Sequence, residues 1–374
     1  MSMSAVEWKK LGEVCEVHTG EQLNRNDMVD DGQFPVINGG KEPSGYTNSF
    51  NEQANSITIS QGGESAGYVN WIDKDFWAGA HCYVVENKEN TVKKFLYYSL
   101  KNIEIILQST KQGAGIPGLN RKKLYEQIIP IPSLAKQQEI VSHLDTFTTL
   151  ISNLESELDM RRKQYEHYRN QLLDFEGVEG VEWKTLGDIC DLKNGYTPST
   201  KNPDFWDNGH LPWFTLEDIR KNGNILYDAI KHITPLGIKR NGLFPKDSII
   251  VSTTATIGEY ALVCVDFMCN QQITCISISE ACKNLVLVKY LYHLGYKIGD
   301  WCRNNVNGGG GLSIVSTSKL KQYSFPIPSL AKQQEIVEKL DAFENLIQSL
   351  EQEIKLRKQQ YEYYREKLLT FEKE

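Results

Sequence analysis

The twelve residues PIPSLAKQQEIV occur at Pro130–Val141 and again, unchanged, at Pro326–Val337. A chain that starts the same element twice is constrained to fold as a repeat. The duplication is wider than this stretch. VEWKKLGEVCEVHTG at Val6–Gly20 returns as VEWKTLGDICDLKNG at Val181–Gly195. Pro130–Glu176 aligns without a gap on Pro326–Glu372, with about thirty of the 47 positions identical. The offset is 175 at the front and 196 at the back, so the second repeat holds 21 extra residues between two matching ends.

The matching back ends predict long helices. Prolines precede the start, Ser133 and Ser329 stand as N-caps, and the apolar rhythm then runs on. In the first copy it passes through Leu144, Phe147, Ile151, Leu154, Leu158, Arg161, Tyr165, Tyr168, Leu172 and Phe175. The second runs Leu340, Phe343, Ile347, Leu350, Ile354, Arg357, Tyr361, Tyr364, Leu368 and Phe371. Steps of three and four alternate over more than four heptads, which is the seam of a coiled coil. Arg161 and Arg357 interrupt both seams at the same place, either as polar positions that fix register or as a hydrogen bond across the pair. Each helix of about 40 residues spans roughly 60 Å, and two from one chain most simply pair with each other. Gly177–Gly180 leads straight from the first helix into the second repeat. Antiparallel pairing would then put the front ends, or heads, at opposite ends of a dumbbell with internal pseudo-twofold symmetry.

The heads read as strand-rich. ITIS from Ile57, YVNWI, HCYVV, SIIVST from Ser248, YALVCV and ITCISIS form short β segments between Gly, Asn and Asp turns. One helix per head is expected, at 91–107 and at 284–304. The fold class is therefore α+β: two pseudo-symmetric α+β heads separated by a long antiparallel two-helix coiled coil. The expected boundaries are 1–130 for the first head, 131–180 for the central helix, 181–326 for the second head and 327–374 for the C-terminal helix.

With 374 residues, 40% of them hydrophobic, the chain has enough apolar material for a sizeable core in each repeat. It has no run of about 18 apolar residues, and MSMSAVEWKKLGE lacks the order of a secretory signal. The expectation is a cytoplasmic protein with no membrane partner. Eight cysteines without a CxxC pair read as reduced thiols buried in strands. Cys264, Cys269, Cys275 and Cys282 match no zinc spacing, and no metal is expected. The formal charge of −7 counts against a nucleic-acid partner taken alone, because phosphate contacts come from Lys and Arg. Only 181–326 is net positive, with 15 basic and 13 acidic side chains. A DNA-binding chain of this kind would have to concentrate its charge on one face or borrow affinity from a partner.

The middles of the two heads differ far more than their ends, with a faint match of ISQGGESAGYV near Ser60 to VSTTATIGEYA near Ser252. Matching ends around divergent middles suit a two-site reader. The middles carry Asn, Gln, Ser, Thr, Lys and Arg in glycine-rich loops, the types that read base edges or hold phosphates. In the first head the candidate DNA contacts are Asn38, Lys41, Ser44, Tyr46, Ser60, Gln61, Ser65, Lys111, Gln112, Asn120 and Arg121. In the second they are Thr197, Thr200, Lys201, Glu217, Asp218, Arg220, Ser252, Thr253, Thr254, Gln271, Gln272, Arg303, Asn304, Asn305 and Asn307. Catalytic motifs are lacking. NPDF at Asn202–Phe205 has Asp where an amino-methyltransferase motif has its second Pro, no glycine-rich cofactor loop lies upstream, and it reads as a polar turn before Trp206. GGGG at Gly308–Gly311 is followed by no Lys. His81 in FWAGAHCYV is expected alone on a strand, packed or facing DNA.

Together, PIPSLAKQQEIV opening two helices, the WKKLGEV and WKTLGDI starts, NGGKEPSGY, FWAGAH, WFTLEDI and STTATIG resemble the specificity subunits of type I restriction-modification systems, over essentially the whole chain. The resemblance implies a non-catalytic DNA reader. Each head would be a target-recognition domain for one half of an asymmetric bipartite site, and the coiled coil would set the spacer. It also implies two methyltransferase subunits docked on the coil, which bring S-adenosylmethionine and modify adenine, so that no cofactor sits on this chain. An endonuclease/translocase subunit would join for restriction. Such partners would supply part of the phosphate contacts. The competing expectation is a coiled-coil scaffold presenting two heads to protein or glycan ligands.

Overall fold

A computed structural model describes residues 6–110, 118–238, 242–306 and 313–372. The chain divides into two compact units, Met1–Glu157 with Leu350–Glu374, and Leu158–Ser349. Each unit therefore takes one head and a part of both long helices.

In the first unit, Glu7–Lys10 pairs antiparallel with Ile128–Ile131, setting Trp8 opposite Pro130. A four-stranded antiparallel sheet follows in the order Cys15–Thr19, Cys82–Asn87, Ser56–Ser60, Val69–Ile72. A smaller sheet carries Phe34–Ile37 between Gly45–Thr47 and Trp77–Ala78, the latter parallel to it. Leu11, Ile57, Ile59, Phe95, Leu96 and Tyr98 fill the core, together with Ile140 and Leu144 of the first long helix.

The second unit repeats this plan strand for strand. Glu182–Thr185 pairs with Ser324–Ile327, setting Trp183 opposite Pro326. The main sheet runs Cys190–Asn194, Ile273–Ile278, Ser248–Ser252, Tyr260–Val263, with Ile225–Leu226 added parallel at its edge. The small sheet carries Leu211–Phe214 between His232–Ile233 and Met268–Cys269. Most of the extra residues lie between Phe214 and Ser248, where the helix Leu216–Asn222 and the added strand Ile225–Leu226 have no counterpart in the first head.

The long helices run Leu134–Leu172 and Leu330–Leu369, 39 and 40 residues. Their starts explain why their sequence is duplicated. The Ser133 and Ser329 hydroxyls accept from the amides of Lys136 and Lys332. One turn on, Gln137 and Gln333 are fully buried. Gln137 accepts from the Val92 amide and donates to the Asn90 and Pro132 carbonyls. Gln333 accepts from the Leu287 amide and donates to the carbonyls of Leu285 and Pro328. Each amide side chain thus ties a long helix to the start of a head helix and satisfies backbone groups that burial would otherwise orphan.

Within each unit the long helices pack antiparallel. In the first unit Phe147 stacks on Tyr364 at 5.3 Å and Glu155 pairs with Lys358 at 2.7 Å. In the second, Tyr168 stacks on Phe343 at 5.5 Å and the Tyr165 hydroxyl donates to Glu344. Of the expected seam, Leu144, Ile151, Leu340, Leu350 and Ile354 are buried, while Phe147, Leu154, Leu158, Arg161, Tyr165, Leu172, Phe343, Ile347, Arg357, Tyr361, Tyr364 and Leu368 are half-buried. Tyr168 is exposed, and Phe175 and Phe371 lie past the helix ends, so the seam stops short of its expected length. Arg161 and Arg357 each donate along their own helix, to Gln164 and Gln360, and Arg357 also pairs with Glu353.

Three expectations need correction. The single head helix is broken in both heads, into Lys93–Asn102 and Glu104–Ser109, and into Val288–His293 and Gly295–Asn304. At the first break Lys101 donates to the Val69 carbonyl while Glu104 accepts from the Val69 amide, so both side chains serve one edge-strand residue. At the second, Gly295 lies under the Tyr260 ring, where a Cβ would come within 2.3 Å. The cysteines are all free, but Cys302 sits in a helix and Cys282 in a turn, and Cys264 and Cys282 are only half-buried. His81 lies in the turn before Cys82–Asn87, exposed, where its backbone closes the connection from the small sheet rather than extending the strand. NPDF forms a short turn whose Asn202 side chain accepts from the Asp204 amide.

Candidate nucleic-acid interface

The repeat makes it possible to match the heads residue by residue through their hydrogen bonds. In the first head the Gln61 amide donates to His81 O, and the Leu119 amide donates to Gln61 O. In the second, the Thr253 amide donates to Gln272 O and the Val315 amide to Thr253 O, in the same arrangement. The isolated bridges Gly62 with Gly118 and Thr254 with Ile314 repeat it once more. Gln61 thus corresponds to Thr253, His81 to Gln272, Tyr83 to Thr274, Thr19 to Asn194 and Arg121 to Thr317. The backbone frame is shared and the side chains on it are not.

On this frame the first head collects Gln61, Asn120 and Arg121 around a small cavity with Tyr83. Asn120 caps the helix Arg121–Tyr125 by accepting from the Lys122 amide. Arg121 is exposed; it donates to the Thr19 hydroxyl at 2.7 Å and its guanidinium lies 5.5 Å from the centre of the Tyr83 ring. The Tyr83 hydroxyl donates to Leu119 O, which fixes the ring. Asn38 joins the group by accepting from the His81 amide.

In the second head an uncharged network occupies the frame. The Thr253 and Thr274 hydroxyls bond each other at 2.9 Å, Thr274 donates to Asn194 at 2.8 Å, and Thr317 donates to the same Asn194 oxygen at 3.0 Å. Gln272 is held by Asn270 in both directions. Nearby, Thr197 donates to the exposed Gln271.

The remaining candidates fall elsewhere. Lys41 is exposed near the face of Tyr68, 5.7 Å from its ring centre. Ser44 and Tyr46 are exposed on and beside the strand Gly45–Thr47, and Ser65 is half-buried in the turn to Val69. Ser60 and Ser252 are buried at equivalent strand ends, where Ser252 accepts from the Glu259 amide. Thr254 is buried at its bridge. Asp218 is buried, forms a capping box with Thr215 and accepts from the Ile230 amide. Glu217 pairs with Lys221, Arg220 with Glu259, and Arg303 with Asp300. Thr200 and Lys201 are exposed before the NPDF turn; Asn304 and Asn305 close the helix Gly295–Asn304. Lys111, Gln112 and Asn307 lie outside the described residues. Thr19, Tyr83, Asn194, Thr274 and Thr317 line the frame although their sequence context did not single them out.

Burial pushes the Cys15, Cys82 and Cys190 thiols up to about 12 and that of Cys269 well above its usual value, so these sulfurs stay protonated. Among the described residues one group of three possible metal ligands occurs, His293 with Asp341 and Glu344 in the second unit. His293 lies 3.0 Å from Asp341, and its other ring nitrogen, 3.8 Å from Glu344, has no hydrogen-bond partner among the described residues. At the equivalent place in the first unit the Tyr98 hydroxyl donates to Asp145 at 2.5 Å. Both groups join a head helix to a long helix.

The family model for the type I restriction modification DNA specificity domain matches residues 3–160 and again 178–356. The chain belongs to this family, as a two-copy member of it. It is 36% identical to the EcoR124I/EcoR124II type I restriction enzyme specificity subunit of Escherichia coli, over 98% of this chain and 95% of that protein. It is 31% identical to a putative type I specificity subunit of Haemophilus influenzae, over 98% and 96%. The crystal structure of a type I S subunit from M. genitalium shares the fold, with a TM-score of 0.68 at 19% identity over 99% of this chain and 97% of that one. No helix among the described residues is long and apolar enough to cross a membrane.

Proposed function

We propose that this chain is the DNA-reading, non-catalytic subunit of a type I restriction-modification complex, each head reading one half of an asymmetric bipartite site. The observation that carries the reading is the shared frame with unlike side chains: Gln61, His81 and Arg121 on one head, Thr253, Gln272 and Thr317 on the other. Two readers built on one scaffold with different polar groups call for two different half-sites. The long helices act as the ruler that fixes the spacer between them.

The helices also carry the features of a docking platform for two copies of one partner, a methyltransferase subunit that holds S-adenosylmethionine. Leu150 and Met160 are exposed on the first, and the repeat-equivalent Leu346 and Leu356 are exposed on the second. Apolar side chains left in water at matching places suit two identical contacts. Such partners bring phosphate-binding charge that a chain of net charge −7 lacks. An endonuclease/translocase subunit completes the assembly for restriction.

A gel shift with the purified chain, alone and with its methyltransferase, tests the reading. The expected result is sequence-dependent retention whose affinity falls steeply with salt. No retention with or without the partner would favour a scaffold for protein or glycan ligands.

A further inference from the structure

The frame that the heads share differs most in charge. Among the described residues, Arg121 has no acidic side chain against it: it lies exposed, held by the Thr19 hydroxyl and the Tyr83 ring. The corresponding Thr317 is neutral and tied to Asn194. The candidate arginines of the second head are already neutralised, Arg220 by Glu259 and Arg303 by Asp300. A guanidinium propped from beside and below, with further donor positions unused among the described residues, is pre-organised for a planar acceptor pair. In the DNA major groove that pair is O6 and N7 of guanine, whereas hydroxyl and amide groups of the Asn194–Thr317 kind set no such requirement.

We propose that Arg121 is a specificity-determining residue that reads a guanine in the first half-site. The Asn194–Thr317 pair leaves the equivalent position of the second half-site without that demand. This rests on the reading of the heads given above. The neighbours fit the role. Asn120 caps the helix on which Arg121 is the first residue, so its backbone is fixed. Tyr83 is locked through its hydroxyl to Leu119 O, so the ring beneath the guanidinium is fixed as well.

The test is methylation sequencing by the full complex carrying Arg121→Gln, Arg121→Lys or Thr317→Ala. Arg121→Gln and Arg121→Lys are expected to relax one guanine of the first half-site, with discrimination there falling roughly tenfold to a hundredfold and all other letters kept. Lysine keeps the charge but not the planar fork, and because an ammonium can still donate to guanine, it is Arg121→Gln, relaxing one letter or weakening all sites alike, that separates base reading from phosphate holding. Thr317→Ala is expected to leave the first half-site untouched. If Arg121→Lys matches the parent while Arg121→Gln weakens methylation at all sites alike, Arg121 holds a phosphate and the inference falls. Unchanged letters in both Arg121 variants would also overturn it. The underlying two-head reading fails separately, if exchanging a whole head leaves both half-sites unchanged.

Discussion

Gln137 and Gln333 account for the strictest part of the duplication. Each has three hydrogen bonds to backbone groups and no exposure, so a side chain without an amide would leave buried donors and acceptors unpaired. Gln137→Leu and Gln333→Leu are each expected to cost about 1–3 kcal/mol, read as a lowered urea midpoint; an unchanged midpoint would show that water replaces the lost bonds. The second unit has a further buried contact of its own in His293 with Asp341, where the first has Tyr98 with Asp145. His293→Leu should lower stability by about 1 kcal/mol, because Asp341 loses its hydrogen bond to His293 but keeps its pairing with Lys289; a calorimetric scan that does not move would contradict it. At this scale the sequence pointed to polar loops but not to Thr19, Tyr83, Asn194, Thr274 or Thr317. These read as ordinary strand and helix-start residues, and only the register shows that they face one another. Carrying the front offset from Thr19 to Asn194 and the back offset from Arg121 to Thr317 would have paired them.

The elements were easier to read, because periodicity reports burial directly. Each strand segment expected from its alternation is present, and both long helices begin after their expected caps. The broken head helices were not legible. In the first, the apolar rhythm runs on across the break at Ile103, where Lys101 and Glu104 bond an edge strand distant in sequence; in the second, Gly295 packs under the Tyr260 ring. The ring stacks of Phe147 on Tyr364 and Phe343 on Tyr168 occupy repeat-equivalent places on the long helices. Phe147→Ala and Phe343→Ala should therefore destabilise by similar amounts, about 1–3 kcal/mol each given half-buried rings. Equilibrium unfolding of both variants checks this; a large loss for one alone would show that the two contacts are not equivalent.

For the whole molecule, the repeat told the most and the recognised letters the least. Two heads on one frame follow from matching ends, whereas base choice depends on how each side chain meets a groove. The ruler reading makes its own prediction. Removing one heptad from each long helix should alter the tolerated spacer and leave the half-site letters as they were; altered letters at an unchanged spacer would contradict it. The central claim is that each head carries its own code, and head exchange tests it most directly. Replacing residues 181–326, the whole second head, with the corresponding segment of another family member, and sequencing the methylated sites, should change one half-site and preserve the other. Change in both half-sites, or in neither, would contradict the account.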